Sequence, residues 1–573
     1  CIEDTAVDIE DLADYIDELD EILKGFNQNP VHYAHAGAGE IHMRPILDLK
    51  KAEDVEEFYQ ISLASAKLVK KYQGSLSGEH GDGRVRAAFI PMMVGEKNYE
   101  LFRRIKYTWD PKNIFNPGKI VDAAPMNKFL RYEPGMVTPE HETVFDYSAD
   151  GGILRLAEKC NGSGDCRKLP GSGGTMCPSF MATRNERDTV RGRANTLREF
   201  LTLDKTENAF DHPEIKEALD LCLSCKGCTA ECPSGVDMAS MKAEFLYQYQ
   251  KTNGIPLRSK AFAYINELNQ LGSIVPGIAN FFLSNSLTGG LMKKALNVAP
   301  SRNLPEISPI SLRKWYKKNY AALPGPAKTI KSVYFFVDEF TNHNDTQIGI
   351  KAISLLKKLG YEVKVIDHEE SGRSALSKGL LQKAKKHAEA NVRLFADLID
   401  GNTPLIGLEP SAILSFRDEY PRIVSPELVP AAKKLKFHVK LIDEFMGQEV
   451  AAGNIKPESF TSKSQKIKLH GHCHQKALSS LTWTQKILSL PSHYSVETIP
   501  SGCCGMAGSF GYEAEHFDLS QQVGELVLFP AVRKAEADTL IAAPGTSCRH
   551  QIADGTGRKA MHPVEILWEA LNF

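Results

Sequence analysis

Apolar residues recur at helical spacing among acidic ones between Ala6 and Phe26, which predicts an amphipathic helix. The segment has neither a basic leader nor an unbroken apolar run, so it is no signal peptide and no membrane span. Helical patterns then alternate with short apolar runs such as HMRPIL up to the turn-rich WDPKNIFNPGKIVD, and an α+β domain is expected over residues 1–125. A cysteine-bearing helical segment follows over 140–250, and a helical connector over 251–328 closes in LPGPAK. Beyond it, strand-like VYFFVD, a helix near 345–359, the strand YEVKVID and a Lys/Ala-rich helix set up a βαβ rhythm ending in LIGLEPSA. The same order returns in KIKLHGHCH, YSVETIP and TLIAAPG, so two tandem α/β repeats are expected over 329–460 and 461–573. Aligning them pairs Phe340 with Cys473 and Gly372 with Gly505 at an offset of 133, and Ala412 with Cys548 at 136.

A chain of 573 residues is too long for one core, and roughly three to five domains are expected. Lys+Arg 69 against Asp+Glu 71 argues against a nucleic-acid binder or a polybasic anchor. Of 12 cysteines, all but Cys1 fall at 160–232 and 473–548, a grouping that suits cluster or metal binding rather than a disulfide framework. Iron-holding thiolates must stay reduced, which implies a cytoplasmic location. The chain opens on Cys1 rather than Met and is expected to start in mid-protein. The stretch GIANFFLSNSLTGGLMKKALNVA is apolar but broken by Asn, Ser, Gly and a Lys pair; a packed helix is expected, with peripheral membrane contact as the other reading.

Candidate chemistry begins at His35 and His42 in HAGAGEIH and at Glu79-His80 in GSLSGEHGDGR. Two histidines and one carboxylate leave a position open for substrate, as catalytic zinc sites require. HYAHAGAGEIHMRP, GSLSGEHGDGRVR and IKYTWDPKNIFNPGK resemble, in that order, the C-terminal domain of FAD-linked oxidases, above all D-lactate and D-2-hydroxyglutarate dehydrogenases. The resemblance implies a ferredoxin-like α+β domain. It also implies divalent-metal ligation (zinc or similar) by His35, His42 and Glu79, a base role for His80, and a flavin-side contact at Asn116. A metal-bound 2-hydroxyl would lose its proton to His80 while its α-hydrogen leaves as hydride to the flavin. Arg44 is the candidate for the substrate carboxylate, since a guanidinium matches a carboxylate fork. The pattern departs from the family where Asp-Gly-Asn is replaced by Ala38, Gly39 and Glu40, which leaves the metal's surroundings open. No glycine-rich pyrophosphate segment precedes residue 35, so an FAD-binding domain is expected upstream or on a partner chain.

CLSCKGCTAECP places Cys222, Cys225, Cys228 and Cys232 in the C-x2-C-x2-C-x3-C-P run of bacterial ferredoxins. Its counterpart carries Cys160, Cys166 and Cys177, with Ser163 at the second cysteine place and a long insertion before the last. Since the fourth cysteine of each run ligates the other cluster, Cys222, Cys225, Cys228 and Cys177 make a full set for one [4Fe-4S] cluster. Cys160, Cys166 and Cys232 remain for a second, either three-iron or completed by another residue type. Arg184, Arg187, Arg191 and Arg193 follow as a solvated helix face or as positive charge near a cluster.

GHCHQK, SGCCGMAG and GTSCRHQ carry Cys473, Cys503, Cys504 and Cys548 and resemble the CCG cysteine-rich domain of heterodisulfide reductases and of glycolate oxidase iron-sulfur subunits. Strand-end loops would gather the four thiols at one sheet edge to hold iron-sulfur or zinc, with His472, His474 and His550 as substitute ligands. The first repeat has Phe340, Ser371 and Ala412 at the cysteine places, a degenerate copy expected to bind nothing.

The expected whole is a multidomain protein: an α+β oxidase C-terminal domain, an α-helical ferredoxin domain and two α/β CCG repeats. Its expected activity is oxidation of a D-2-hydroxy acid such as lactate, with electrons passing from FAD through the cluster to a quinone or other carrier. A non-catalytic electron-transfer subunit and a CCG-repeat scaffold are the alternatives. The expected setting is cytoplasmic, with peripheral contact to the inner membrane face as a further reading.

Overall fold

The computed structural model describes residues 3–326 and 328–572, so Cys1 lies outside the described residues. The chain divides into two compact units, Cys1–Thr138 and Pro139–Phe573.

In the first unit a three-stranded antiparallel sheet runs in the order β1 (Thr5–Ala6), β3 (Glu40–Arg44), β2 (Val31–His35). Helix α1 (Leu12–Gly25) buries Tyr15, Leu19 and Leu23, one every turn, and α2 (Ala52–Lys71) buries Ile61, Ala66, Leu68 and Val69. These side chains close over Ile41 and Met43 of β3 to make the unit's core. The β2–β3 connection turns at Gly39, whose φ is +70° and whose absent Cβ would sit 2.0 Å from the carbonyl oxygen of Val7. Only glycine meets both conditions.

The second unit opens with the cysteine-bearing helical segment, which does not have a core to itself. Phe145, Leu154, Leu197 and Phe245 pack with Leu381, Phe395 and Phe416 of the first α/β repeat in one apolar cluster. Each repeat is a four-stranded, wholly parallel sheet. The first runs β5 (Tyr361–Lys364), β4 (Lys331–Phe336), β6 (Leu405–Gly407), β7 (Val439–Leu441). The second runs β9 (Tyr494–Thr498), β8 (Gln465–Leu469), β10 (Leu540–Ala542), β11 (Ala560–Met561). The strand order is identical, which makes the repeat a structural one. Gly372 and Gly505 both take left-handed φ values, +74° and +96°, at paired positions. The fourth strands, three and two residues long, escape the sequence pattern because so short a run shows no period. Phe335 and Leu356 of one repeat and Ile467 and Leu567 of the other share a second core, so the two sheets are buried against common material.

The connector is helical, but its apolar part is not the packed helix expected. The helix Pro276–Ser284 has no buried residue, and Ile278, Phe281 and Phe282 are exposed. Asn280 tethers it, its side chain bonding both the N–H and the carbonyl oxygen of Ile307 at 2.8 Å. Among the described residues, no helix is long and apolar enough to cross a membrane.

Candidate metal centre and cysteine clusters

Antiparallel register puts His35 opposite Glu40 and Tyr33 opposite His42. Alternation along a strand then sends His35, Glu40 and His42 to one face. The loop after α2 brings Glu79 and His80 to the same face. Glu79 Oε1 lies 3.5 Å from His35 Nε2, 3.9 Å from His42 Nε2 and 3.3 Å from His80 Nε2. The ring of His80 stacks on that of His42 with centroids 5.7 Å apart. Thus His35, His42, Glu79 and His80, far apart in sequence, converge as the motifs imply.

Asp4 escaped the sequence reading, and Glu40 entered it only as a departure from the family's pattern. Asp4, fully buried, accepts from the Ser77 hydroxyl and from the backbone N–H groups of Glu79 and His80, and so orients the loop that carries both. Burial would raise its pKa, but these bonds hold it well below the ordinary carboxylate range. Glu40 lies 3.8 Å from His42 Nε2. Its hydrogen bond with Asp4, its burial and the nearby Glu79 charge all raise its pKa. An acidic residue amid HAGAGEIH gave a signal; Asp4, in a segment without a motif, gave none. The donor atoms of His35, Glu40, His42 and Glu79 all lie within 4.8 Å of one another, and buried Glu40 Oε1 and His42 Nδ1 lack any hydrogen-bond partner. Such a donor set fits a divalent cation.

Arg44 is forked onto Glu3, Nε to Oε2 at 2.6 Å and Nη2 to Oε1 at 3.2 Å, and is exposed. It would have to exchange that partner to take a substrate carboxylate. Asn116 is exposed and holds a left-handed φ of +49°.

In the second unit the ferredoxin-type loop carries buried Cys225 and Cys228, with Cys222 and Cys232 half-buried beside them. Cys177, at the start of the helix Pro178–Thr183, accepts from the Val190 N–H at 3.1 Å. The Cys166 thiol is brought down to about 6, first by its hydrogen bond with Cys177 and also by the nearby Arg191 charge. Cys160 is half-buried, and Arg191 feels both it and Cys166. Between Cys225 and Cys228, Lys226 is buried and paired with Asp418 and Glu419 of the first repeat, which locks the loop to the neighbouring fold. Arg193 is also buried, bonded to Ala218 O and the Ser179 hydroxyl, rather than on a solvated face.

Cys473 follows β8, Cys503 and Cys504 follow β9, and Cys548 follows β10, so the C-terminal ends of three adjacent parallel strands supply the four buried thiols. The thiols interact in the order Cys473, Cys503, Cys504, Cys548, and contact with Cys503 brings the Cys473 thiol down to about 7. The histidine brought to them is His470, not those beside the motifs. It is wholly buried, holds Ser501 through Nδ1 at 2.7 Å, and forms with Cys504 and Cys548 a group whose donor atoms lie within 4.8 Å. By contrast His472 Nδ1 accepts from the His474 N–H, His474 Nε2 meets the Ser224 carbonyl at 3.1 Å, and His550 Nδ1 meets the Tyr512 hydroxyl at 3.1 Å. The alternation of β8 faces gave no warning of His470, because it is the loop after the strand that turns it inward. Lys476 donates to the carbonyls of Ser501 and Gly502, which places a cation beside the thiols. Cys225, Cys473 and Cys503 share one apolar cluster with Leu223 and Phe510, so the ferredoxin-type loop abuts the four-thiol site directly.

In the first repeat the equivalent places hold Phe340, Ser371 and Ala412, and the space is polar in another way. Ser371 donates to Glu339, whose carboxyl burial and the nearby Glu370 charge push up to about 7.

Residues 1–120 match the family model described as FAD linked oxidases, C-terminal domain, and residues 159–237 match a 4Fe-4S dicluster domain. The chain is 28% identical over its whole length to D-2-hydroxyglutarate dehydrogenase of Escherichia coli (strain K12) and 29% identical over 99% of its length to that of Pseudomonas putida. It spans 58% of the length of each of these curated relatives. Over 59% of the chain it is 27% identical to 83% of one of the subunits of the anaerobic glycerol-3-phosphate dehydrogenase of Escherichia coli (strain K12). The chain therefore joins, in this order, a segment of the FAD-linked oxidase C-terminal type and a segment of the 4Fe-4S dicluster type.

Proposed function

We propose that the protein oxidises a D-2-hydroxy acid to the 2-oxo acid, with D-2-hydroxyglutarate, the substrate named in its long relatives, ahead of D-lactate. The observation that carries this reading is the convergence of His35, His42 and Glu79 with His80 on one sheet face. A divalent cation held by His35, His42 and Glu79 would acidify the substrate hydroxyl, and FAD from an upstream or partner domain would accept the hydride. The chain's own work is proton handling and positioning. His80 Nε2 receives the hydroxyl proton, Asp4, 3.9 Å from Nδ1 on the other side of that ring, orients it, and Arg44 leaves Glu3 to bind the substrate carboxylate.

Cys222, Cys225, Cys228 and Cys177 would hold one [4Fe-4S] cluster, and Cys160, Cys166 and Cys232 a second. Cys473, Cys503, Cys504 and Cys548 would hold iron-sulfur or zinc as a CCG-type site, with the first repeat empty. Electrons leave through these groups to a quinone or another carrier. The test is turnover of D-2-hydroxyglutarate and D-lactate by the whole protein with an artificial dye acceptor; reduction of the dye by neither acid would overturn the assignment. The likeness to one subunit of a glycerol-3-phosphate dehydrogenase favours a second reading, an electron-transfer chain served by a separate flavoprotein. That reading predicts cluster reduction only when such a partner is added.

A cytoplasmic protein resting on an anionic membrane surface is the setting we infer. Leu268, Leu271, Ile274, Ile278, Phe281 and Phe282 are all exposed along the connector. Exposed Lys260 and Lys294 flank them, while Glu267 is engaged by Lys383. Exposed apolar side chains with an exposed lysine on either side along the chain suit an anionic lipid surface. Flotation with vesicles containing phosphatidylglycerol, lost on Phe281→Ser with Phe282→Ser, tests it; a wild-type protein that does not float overturns it.

A further inference from the structure

We propose that Glu40 is a fourth ligand of the divalent cation, making the centre His35, Glu40, His42 and Glu79. The inference rests on the metal reading above and replaces its two-histidine, one-carboxylate set.

Four observations carry it. First, strand register decides the orientation: Glu40 is directly opposite His35 and two residues before His42, so all three share a face. Second, Glu40 is only 5% exposed and its Oε1 has no hydrogen-bond donor. A buried carboxylate oxygen without a partner is costly, and such groups are paired or bind metals. Third, the guanidinium beside Asp4 is engaged elsewhere, since Arg86 bonds the Glu3 carbonyl oxygen and lies 3.5 Å from Asp4. Fourth, a space is kept for this carboxylate: a Cβ at Gly78 would sit 2.8 Å from its carboxyl carbon. The glycine-rich GSLSGEHGDGR loop thus supplies Glu79 as a ligand and, at Gly78, the room for Glu40.

The distances agree with shared coordination. Two donors each about 2.1 Å from a metal lie roughly 3.0–3.4 Å apart at adjacent positions and about 4.2 Å apart at opposite ones. Here Glu40 Oε1 and His42 Nε2 are 3.8 Å apart, Glu79 Oε1 is 3.5 Å and 3.9 Å from the histidines, and all four atoms lie within 4.8 Å. Closure by up to about half an ångström brings these three contacts into the adjacent-donor range.

Two carboxylates and two imidazoles neutralise a divalent charge. The added oxygen shifts preference from zinc toward harder cations such as Mn2+. A six-coordinate centre with these four ligands would keep two positions, enough for the hydroxyl and one carboxylate oxygen of a 2-hydroxy acid. The substitution of Glu40 for the family's usual residues is then a change of ligand set, not a loss.

The test is a Mn2+ titration of the whole, cluster-loaded protein after chelation, with free Mn2+ followed by electron paramagnetic resonance. Wild type should bind one Mn2+ at this site, and Glu40→Gln should bind it at least ~30-fold more weakly, since even the outer partners of metal ligands are worth about 10–100-fold. Gly78→Ala, which crowds the carboxylate without removing it, should weaken binding in the same direction and guards against a misfolded first variant. Thermal stability of the metal-free protein separates ligation from a structural role. A ligand leaves it unchanged or raised in Glu40→Gln, whereas a structural carboxylate would lower it. Binding by Glu40→Gln within threefold of wild type would overturn the Glu40 assignment alone. A wild-type protein that binds no Mn2+ or Zn2+ here would overturn the metal reading with it.

Discussion

Replacing Glu513 with Gln should destabilise the second unit by about 3 kcal/mol at neutral pH. Glu513 is a buried hub: it accepts from Lys378 of the first repeat, lies 3.4 Å from Arg258 of the connector and 3.0 Å from His516 Nδ1. Burial alone would raise its pKa, yet the His516 ring beside it and the charges of Lys378 and Arg258 prevail and bring it down to about 2 from 4.5. That drop corresponds to about 3 kcal/mol of stability, at the lower edge of the roughly 3–5 kcal/mol lost when one partner of a buried pair is removed. A depressed carboxyl stabilises the fold above its unfolded pKa, so the contribution is complete at pH 7 and fades as pH falls from about 4.5 through about 2. Thermal unfolding at pH 7 should therefore show a fall of roughly 3–7 °C in the transition of this unit, and the gap should not shrink at pH 5, because Glu513 helps to raise the pKa of His516, which is charged there. Adding Lys378→Met to Glu513→Gln should cost less than the sum of the single changes, because the two residues share one interaction. A transition within 1 °C of wild type at pH 7, or strictly additive losses, would refute the view that this ion-pair hub ties the connector and the two repeats together.

His80→Ala in the complete enzyme should cut turnover by roughly 10²–10⁴-fold with flavin and iron content near normal; a loss below about tenfold would remove His80 from the base role. His35→Ala or His42→Ala should lower bound divalent metal and activity together, and chelation should reproduce the effect. If metal analysis of active enzyme finds only cluster iron, the site assignment fails. Cys504→Ser should release metal or cluster from the second repeat, because it opens a coordination position, while Ser371→Ala in the first repeat should leave metal content unchanged. Equal metal loss from both would contradict the view that only one repeat is loaded.

Much of the candidate chemistry was legible in the chain because it sits in short motifs whose spacing is itself the mechanism. The Cys222–Cys232 run, the HAGAGEIH and GEHGDGR segments and the three cysteine loops of the second repeat are of this kind. The tandem repeat was legible too, since strand and helix periods recur in the same order at offsets of 133 and 136. What the sequence could not supply was any relation that depends on which atoms meet across distant segments. Asp4 orients Glu79 and His80 only because β1 lies against β3, and a lone acidic residue carries no such address. His470 rather than His472, His474 or His550 reaches the thiols, since a residue's direction after a strand is set by the loop's turn and not by alternation. Gly78 and Glu40 are neighbours only in space, so the meaning of a departure from the family's pattern appears once the sheet register and the glycine loop are folded against each other. The exposure of Ile278, Phe281 and Phe282 was likewise a tertiary decision: an apolar stretch states a preference for burial, and whether anything covers it depends on what the rest of the fold has already buried elsewhere.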